Sequence, residues 1–387
     1  MTSQSAPPAD VIIAGLGAMG SAAAWQLAVR GRRVIGFDRF HPPHAMGSST
    51  GRSRIIREAY WESPFYVPLV RRAYELWATL EQRSGRPLLR PTGGLVIGPG
   101  DGPLVSGAIA SAREHGVPFE HLGPRDIASR FPAFQPGDHL EGVFEPRAGV
   151  LMPEDAIGAM LGEAVKAGAD LRFDEPVERW ARQGDVLEVH TGHGRYTTRC
   201  LILSAGAWMA SALPGRPLPL QVVRQTMFWL RPQGGAAATL PGRLPIWLWE
   251  TGEGPVYYGF PDLGDGPKVA RHHDGEPCDP GTVRREVADD ESEEITRFLA
   301  AAIPALAGPV TDARVCLYTN TPDEHFILDR HPDDPAVLLA SPCSGHGFKF
   351  APTIGELLAD LAMDRAPRFD VTPFRLNRFG VDGVPAR

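Results

Sequence analysis

Three short stretches hold the residues best suited to chemistry. In "GLGAMG", Gly15 to Gly20, three glycines stand in the order G-x-G-x-x-G between an apolar run ending at Ala14 and an alanine-rich run to about Arg30. Each glycine has its own task in a strand, turn and helix. Gly15 permits the tight turn, Gly17 lets backbone approach a diphosphate, and Gly20 lets helix and strand pack closely. The diphosphate would rest on the helix N-terminus, where free N–H groups and the macrodipole favour negative charge. Asp38 closes the next apolar run, placed to accept a hydrogen bond from a ribose hydroxyl. A glycine fingerprint alone is weak; set between strand, helix, strand and acid, it points to dinucleotide binding without separating NAD from FAD.

The second stretch is "RVCLYTNTPDEHF", Arg314 to Phe326, where Cys316 stands at the expected end of a buried strand just before a polar turn. It is one of four cysteines, with Cys200, Cys278 and Cys343, at wide spacings and with no matching histidine pairs. A structural zinc site and a disulfide framework are therefore not expected, and no metal is assigned. By spacing alone each cysteine reads as an inert buried thiol. The third stretch is "SGHGFKF", Ser344 to Phe350. Gly345 and Gly347 allow backbone to lie against a planar ring, and Lys349, set between two phenylalanines, can project beside it.

These residues need a large scaffold, and 387 residues are enough for one with ample core. A content of 43% hydrophobic and 22% charged residues is that of an ordinary globular enzyme. A formal charge of -7 argues against nucleic acid as the main partner, since phosphate binding needs concentrated Lys and Arg. "MTSQSAPPAD" lacks the basic and apolar regions of a secretory signal, and no apolar run approaches the ~20 residues of a membrane span. The expectation is a disordered leader on a cytoplasmic protein with no membrane partner.

Along the chain, "YVPLVRRAYELWATLEQRSG" is an amphipathic helix ending at Gly85, and "TGGLVIGPG" is strand-like. "PLVSGAIASAREHGVPFEHL" and "PEDAIGAMLGEAVKAGADLRF" each give helix then strand. "LEVHTGHGRYTTRCLILSAGAW" reads as two alternating strands around a Gly turn, followed by a separate apolar strand, Leu201 to Leu203. From about Pro217 to Val315 the chain is rich in Trp, Tyr, Pro and Gly and suits an antiparallel sheet; "AVLLASPCSGHGFKFAPTIGELLADLAM" is strand, Gly-rich loop and helix. The expected class is α/β (α+β): a discontinuous Rossmann-like nucleotide domain (8–90, 145–216 and 316–387) and a substrate domain with a large mixed, mostly antiparallel sheet (91–144 and 217–315). Such interruption favours a flavin enzyme over a simple NAD dehydrogenase.

The chain resembles the monomeric sarcosine oxidase and N-methyltryptophan oxidase family over nearly its whole length. The resemblance is carried by "PPHAMGSSTGRSRIIREAYWESPFYVPL", "FEPRAGVL", "LILSAGAW", "VYYGFP", "CLYTNTPDEHFILD" and "SGHGFKF". It implies FAD, attached through Cys316 as a thioether to the flavin 8α-methyl; a thiolate suits attack on that electrophilic carbon. It implies Ser48, Ser53, Arg54, Val177, Ser204, Gly206 and Trp208 as further cofactor contacts, with Gly345, Gly347 and Lys349. It assigns Arg57 and Lys349 to the substrate carboxylate, one giving a planar fork and the other a point charge. Lys268 in "GDGPKVARHH" becomes the cation that assists the reaction with O2. His272, Tyr258 and Tyr318 become active-site residues, and Arg54 the arginine beside the ring.

One segment departs from the family pattern. Where the family has His-His-Gly-Asp-Thr-Arg, this chain has Ser49-Thr50-Gly51-Arg52-Ser53-Arg54, so a histidine becomes Thr50 and an acid becomes Arg52. An added cation near the cofactor would bear on substrate charge, flavin attachment or oxygen reactivity. The expected activity is oxidation of sarcosine or another N-methyl amino acid by a monomer, with O2 as acceptor. The rivals are L-pipecolate, another cyclic imino acid or a glycated amino acid as substrate, an NAD-dependent dehydrogenase, and a non-catalytic nucleotide-binding module.

Overall fold

A computed structural model describes residues 8–380, apart from 212, 214–216, 234, 253 and 274. The expected N-terminal leader thus falls almost entirely outside the described residues. Strand β1 (Ala9–Ala14) is buried at every position but Asp10. Apolar cover on both faces removes any need for polar alternation, as in strands sandwiched between helices. Helix α1 (Ala18–Ala28) and strand β2 (Val34–Phe37) follow, and Asp38 comes immediately after. The alanines of α1 answer to close packing: its buried face meets two other helices, and a Cβ added at Gly355 on one of them would lie 2.5 Å from Ala22 backbone.

A short strand β3 (Arg54–Ile56) precedes α2 (Tyr66–Ser84), which ends on Gly85 at φ 69°, the left-handed cap that glycine adopts without a Cβ penalty. Helix α3 (Pro153–Lys166) carries Glu154 and Asp155 in its first turn, where they complement the positive end of its dipole. Strand β4 (Gly194–Leu203) corrects one expectation, because the second alternating strand and the apolar strand are a single ten-residue element. Its first half is antiparallel to Val186–Thr191, while Leu201 to Leu203 run parallel to both β1 and a later strand. The change of pattern marks a change of neighbours, from a half-exposed hairpin to a strand buried on both faces.

The remaining strands that matter for the site are β5 (Gln221–Leu230), β6 (Val256–Phe260), β7 (Lys268–His272), β8 (Val310–Asn320) and β9 (Asp334–Ser341), before helix α4 (Ala351–Ala362). One eight-stranded sheet has β4, β1 and β2 at its centre, joined by β9. A nine-stranded sheet draws on residues 94–145 and 221–320, with β5 between β7 and β8. It is antiparallel except where Ile246–Glu250 runs parallel to Gly94–Pro99. A second correction concerns Cys316, which lies mid-strand because the β5–β8 ladder continues four residues past it, to Gln221 opposite Asn320. The class is mixed α/β with two large sheets, and among the described residues no helix is long and apolar enough to cross a membrane.

Candidate active site

At the head of β1 the three glycines divide their work as the fingerprint requires. Gly15 has φ 95° and a Cβ there would lie 2.6 Å from the Ser204 carbonyl oxygen; at Gly20 a Cβ would lie 1.8 Å from the Gly15 carbonyl oxygen. At Gly17 a Cβ would meet no protein atom within 4 Å, because it would project into a cavity. No side chain caps the N-terminus of α1, so its first N–H groups are free for a ligand. Asp38 is held by two backbone donors, Leu16 N–H to Oδ2 at 2.6 Å and Phe40 N–H to Oδ1 at 2.9 Å. The Ser204 hydroxyl donates to the Gly15 carbonyl at 2.8 Å and steadies the turn. Val177, Gly206 and Trp208 line the same end of the cavity.

The cavity runs from these glycines to the face of the nine-stranded sheet. Side chains alternate across a strand, so Cys316 and Tyr318 of β8 share that face, as do Lys268 and His272 of β7. The Arg54 guanidinium donates to the Ser48, Ser53 and Thr50 carbonyls at 2.8, 2.7 and 2.6 Å, and its Nη2 stands 3.6 Å from Cys316 Sγ. A fixed cation thus sits beside the thiol. Lys268 is fully buried, donating from Nζ to the Gly51 and Ser53 carbonyls at 2.8 and 2.9 Å, with the Phe260 ring 4.2 Å away. Burial, and then the neighbouring Arg54, hold its pKa well below that of an ordinary lysine.

Beyond Arg54 the wall turns cationic. Arg57 Nη2 meets Glu62 Oε2 at 2.6 Å and Nη1 donates to the Ala59 carbonyl at 2.7 Å. Lys349 Nζ donates to the His346 carbonyl at 2.8 Å and to the Tyr60 hydroxyl at 3.1 Å, while Trp77 on α2 donates to the Lys349 carbonyl at 2.9 Å. Burial, together with Arg57, pushes Lys349 down to about 7, against the opposing pull of Glu62. His346 Nε2 lies 3.0 Å from the Glu324 carbonyl, which can only accept, so Nδ1 is the acceptor for the Tyr60 hydroxyl at 2.6 Å. That tautomer is neutral, in keeping with a pKa pushed down by burial to about 3. His272 is likewise held neutral by burial and by His273, with its Nδ1 3.5 Å from the Tyr318 hydroxyl. Tyr318 in turn reaches the Tyr258 hydroxyl at 3.5 Å, and burial raises the pKa of both phenols.

Known proteins resemble this chain over nearly its whole length. The model of the FAD dependent oxidoreductase family matches residues 10–361. The monomeric sarcosine oxidase of Streptomyces avermitilis is 42% identical over 362 residues, which is 92% of this chain and 94% of that protein. The chain belongs to this family. The N-methyl-L-tryptophan oxidase of Salmonella arizonae is 36% identical over 96% of this chain and 99% of its own length. Among solved structures, NikD, an unusual amino acid oxidase essential for nikkomycin biosynthesis, superposes with a TM-score of 0.85 at 25% identity, covering 96% of this chain and 98% of that one. The choice left open between NAD and FAD closes on FAD: the protein is an FAD-dependent oxidoreductase.

The residues of this family member fit that cofactor. Besides the open space at Gly17, the Ser48 and Thr319 hydroxyl oxygens are buried on the cavity wall with no hydrogen-bond partner among the described residues. Buried polar atoms of that kind normally have partners, and a polar ligand along the cavity would supply them. Of the site residues expected from the sequence, all but Gly20, Ser53 and Lys268 line the cavity. Gly20 serves packing, and Ser53 and Lys268 lie one layer behind the wall, bonded to each other. Glu62, His346 and Thr319 are lining residues the sequence reading did not single out. Glu62 sits five residues after Arg57 within a stretch that carried the resemblance, and an acid so close to an arginine on one loop was the available signal.

The departure at Arg52 also has a structural account. Its guanidinium pairs with Asp312 at 2.8 Å and Asp265 at 3.1 Å and lies 4.9 Å over the Trp229 ring. Arg52 is not among the described lining residues. The added charge is paired with two acids outside the described lining residues, and it works against the positive charge of Lys268.

Proposed function

We propose that the protein oxidises a secondary amino acid, sarcosine or another N-methyl amino acid such as N-methyltryptophan, giving the primary amino acid, formaldehyde and H2O2. The observation that carries this reading is the presence of two buried basic side chains, Arg57 and Lys349, on the wall of a cavity continuous with the dinucleotide cradle. The names of the similar proteins support it, as they specify sarcosine and N-methyl-L-tryptophan. FAD, when bound, accepts two electrons from the carbon–nitrogen bond and yields them to O2.

The chain's own residues do the rest. Lys349 and Arg57 hold the substrate carboxylate and so fix the amine in the cavity. An ammonium has no lone pair to drive oxidation, so the neutral amine must bind. Arg57 and Lys349 both disfavour a third positive charge nearby, while the neutral imidazoles of His272 and His346 add none. Tyr258, Tyr318 and His272 border the amine from β6, β8 and β7. Oxidation gives an imine, and water hydrolyses it to the primary amine and formaldehyde.

Lys268 is the fixed cation that assists the reaction with O2, and Cys316 carries the cofactor as an 8α-thioether, with the Arg54 guanidinium beside its sulfur. The chain is a monomer, divided into an FAD domain (8–90, 145–216 and 316–387) and a substrate domain (91–144 and 217–315), with β8 crossing the boundary at 316. The decisive experiment is anaerobic titration of the purified enzyme with sarcosine, N-methyl-L-tryptophan and L-pipecolate. Bleaching of the flavin by an N-methyl amino acid is expected, and no bleaching by any of them overturns the reading.

A further inference from the structure

The turn before β3 is built on two consecutive left-handed residues, Gly51 at φ 107° and Arg52 at φ 64°. Their N–H groups converge on one oxygen, Glu154 Oε1, at 2.9 and 3.1 Å. Successive N–H groups arranged in this way form a concave cradle for an anion, here filled by a side chain from the first turn of α3. The carbonyls of the same segment face the other way, and those of Gly51 and Ser53 receive Lys268 Nζ. On the outer side, Arg52 closes onto Asp265, just ahead of β7, and onto Asp312 of β8. Its guanidinium covers Trp229, the residue paired across the ladder with Lys268.

We propose that Glu154 is a positioning residue for the reaction with O2: it holds the Gly51–Arg52 turn so that two carbonyls seat the Lys268 ammonium, with Arg52 as the outer clamp. This rests on the reading of Lys268 as the oxygen-side cation. An ammonium has three donors, and with two committed to fixed carbonyls the direction of the third is set. Arg52 and Arg54 face Lys268 from the turn and from β3, Glu154 from α3, Cys316 from β8, and the Trp229 and Phe260 rings from β5 and β6. Of the charged neighbours the two arginines oppose the ammonium, while Glu154 favours it. Glu154 therefore both orients the cation and sustains its charge.

The test compares Glu154→Gln, Lys268→Met and Asp312→Asn with the wild-type holoenzyme. Stopped-flow mixing measures anaerobic reduction by substrate and, separately, re-oxidation by O2 across pH. Labelling of Lys268 by an amine-reactive reagent, read by peptide mass mapping, reports the seat independently of turnover. Glu154→Gln is expected to slow re-oxidation at neutral pH about tenfold, to move its pH midpoint down by about one unit, and to speed labelling, with reduction changed less than about twofold. Re-oxidation with wild-type rate and midpoint in Glu154→Gln, alongside slow re-oxidation in Lys268→Met, overturns the role of Glu154 alone. Wild-type re-oxidation in Lys268→Met removes the oxygen-side reading and the proposal with it. If Glu154→Gln fails to fold, Asp312→Asn carries the test, since this partly exposed acid lies outside the Glu154 cradle, holding the outer clamp Arg52 together with Arg314 Nε at 3.1 Å. Faster labelling with slower re-oxidation supports the proposal, and no change in either overturns it.

Discussion

Arg57 and Glu62 meet at 2.6 Å with both side chains almost wholly buried. Burial works against the charge of each, and their mutual attraction prevails, keeping Arg57 cationic and Glu62 anionic. A substrate carboxylate must therefore share Arg57 with an internal acid. Replacing Glu62 by Gln removes the competitor at nearly constant shape. A simple carboxylate such as acetate should then bind about tenfold more tightly, as a buried charge interaction of ~1.4 kcal/mol implies. Flavin absorbance titration measures this, and weaker binding in Glu62→Gln would mean that Glu62 organises Arg57 instead of competing for it. Arg57→Gln should lose carboxylate binding and, by stranding a buried acid, destabilise the fold by ~3 kcal/mol or more.

Lys349 gives the site a pH dependence. In the ligand-free protein its ammonium is half lost near pH 7, since burial and Arg57 lower its pKa to about 7. A bound carboxylate favours the ammonium, so binding takes up a proton above this point. The dissociation constant of acetate should be flat below pH 7 and rise above it, approaching about tenfold per pH unit. Arg57 keeps its charge throughout, and His346, at about 3, is already neutral, so neither produces this profile. Lys349→Met should flatten the curve; a rise that persists in that variant assigns the titration to another group.

Cys316 and Cys343 both line the cavity, which makes Cys343 the stringent control for flavin attachment. Burial raises the Cys343 thiol to about 11, and the Cys200 thiol, on the buried sheet, to about 12. Only Cys316 has the Arg54 guanidinium next to its sulfur, at 3.6 Å. Acid-precipitated wild-type protein should keep its yellow colour in the pellet. Cys316→Ala should release flavin to the supernatant, while changes at Cys200, Cys278 or Cys343 should not. A colourless wild-type pellet would refute covalent attachment.

Local signals made the dinucleotide end of the molecule legible. Gly15, Gly17, Gly20 and Asp38 act within one strand–helix–strand unit, so spacing along the chain is spacing in the structure. The substrate end joins β3, β7, β8 and the loop before α4, and no periodicity connects Arg57 to Lys349 or Lys268 to Gly51. Only the resemblance to a family reached those residues. The partners of Arg52 are hidden from the sequence for the same reason, since Asp265 and Asp312 lie more than two hundred residues away. The long strand β4 reads as two in the sequence because its pattern changes where its neighbours change.

Gly17 and Gly20 stand three residues apart and should fail in opposite ways. At Gly20 an added Cβ would lie 1.8 Å from the Gly15 carbonyl oxygen, and both are backbone-anchored, so the strand and α1 must separate. Gly20→Ala should therefore destabilise the protein itself by ~3 kcal/mol or more, whether or not cofactor is present. At Gly17 the φ of -64° suits any residue and a Cβ would touch no protein atom within 4 Å. Gly17→Ala should cost only about 1 kcal/mol or less, the difference between glycine and alanine at a helix N-cap. Its methyl would instead occupy the approach reserved for a diphosphate. In a Cys316→Ala background, from which flavin can be removed, thermal melts and FAD titrations separate the two. Gly17→Ala should melt within a few degrees of its parent yet bind FAD at least about tenfold more weakly, whereas Gly20→Ala should melt far lower even without FAD. Equal FAD affinity in Gly17→Ala would place the diphosphate elsewhere than on the N-terminus of α1.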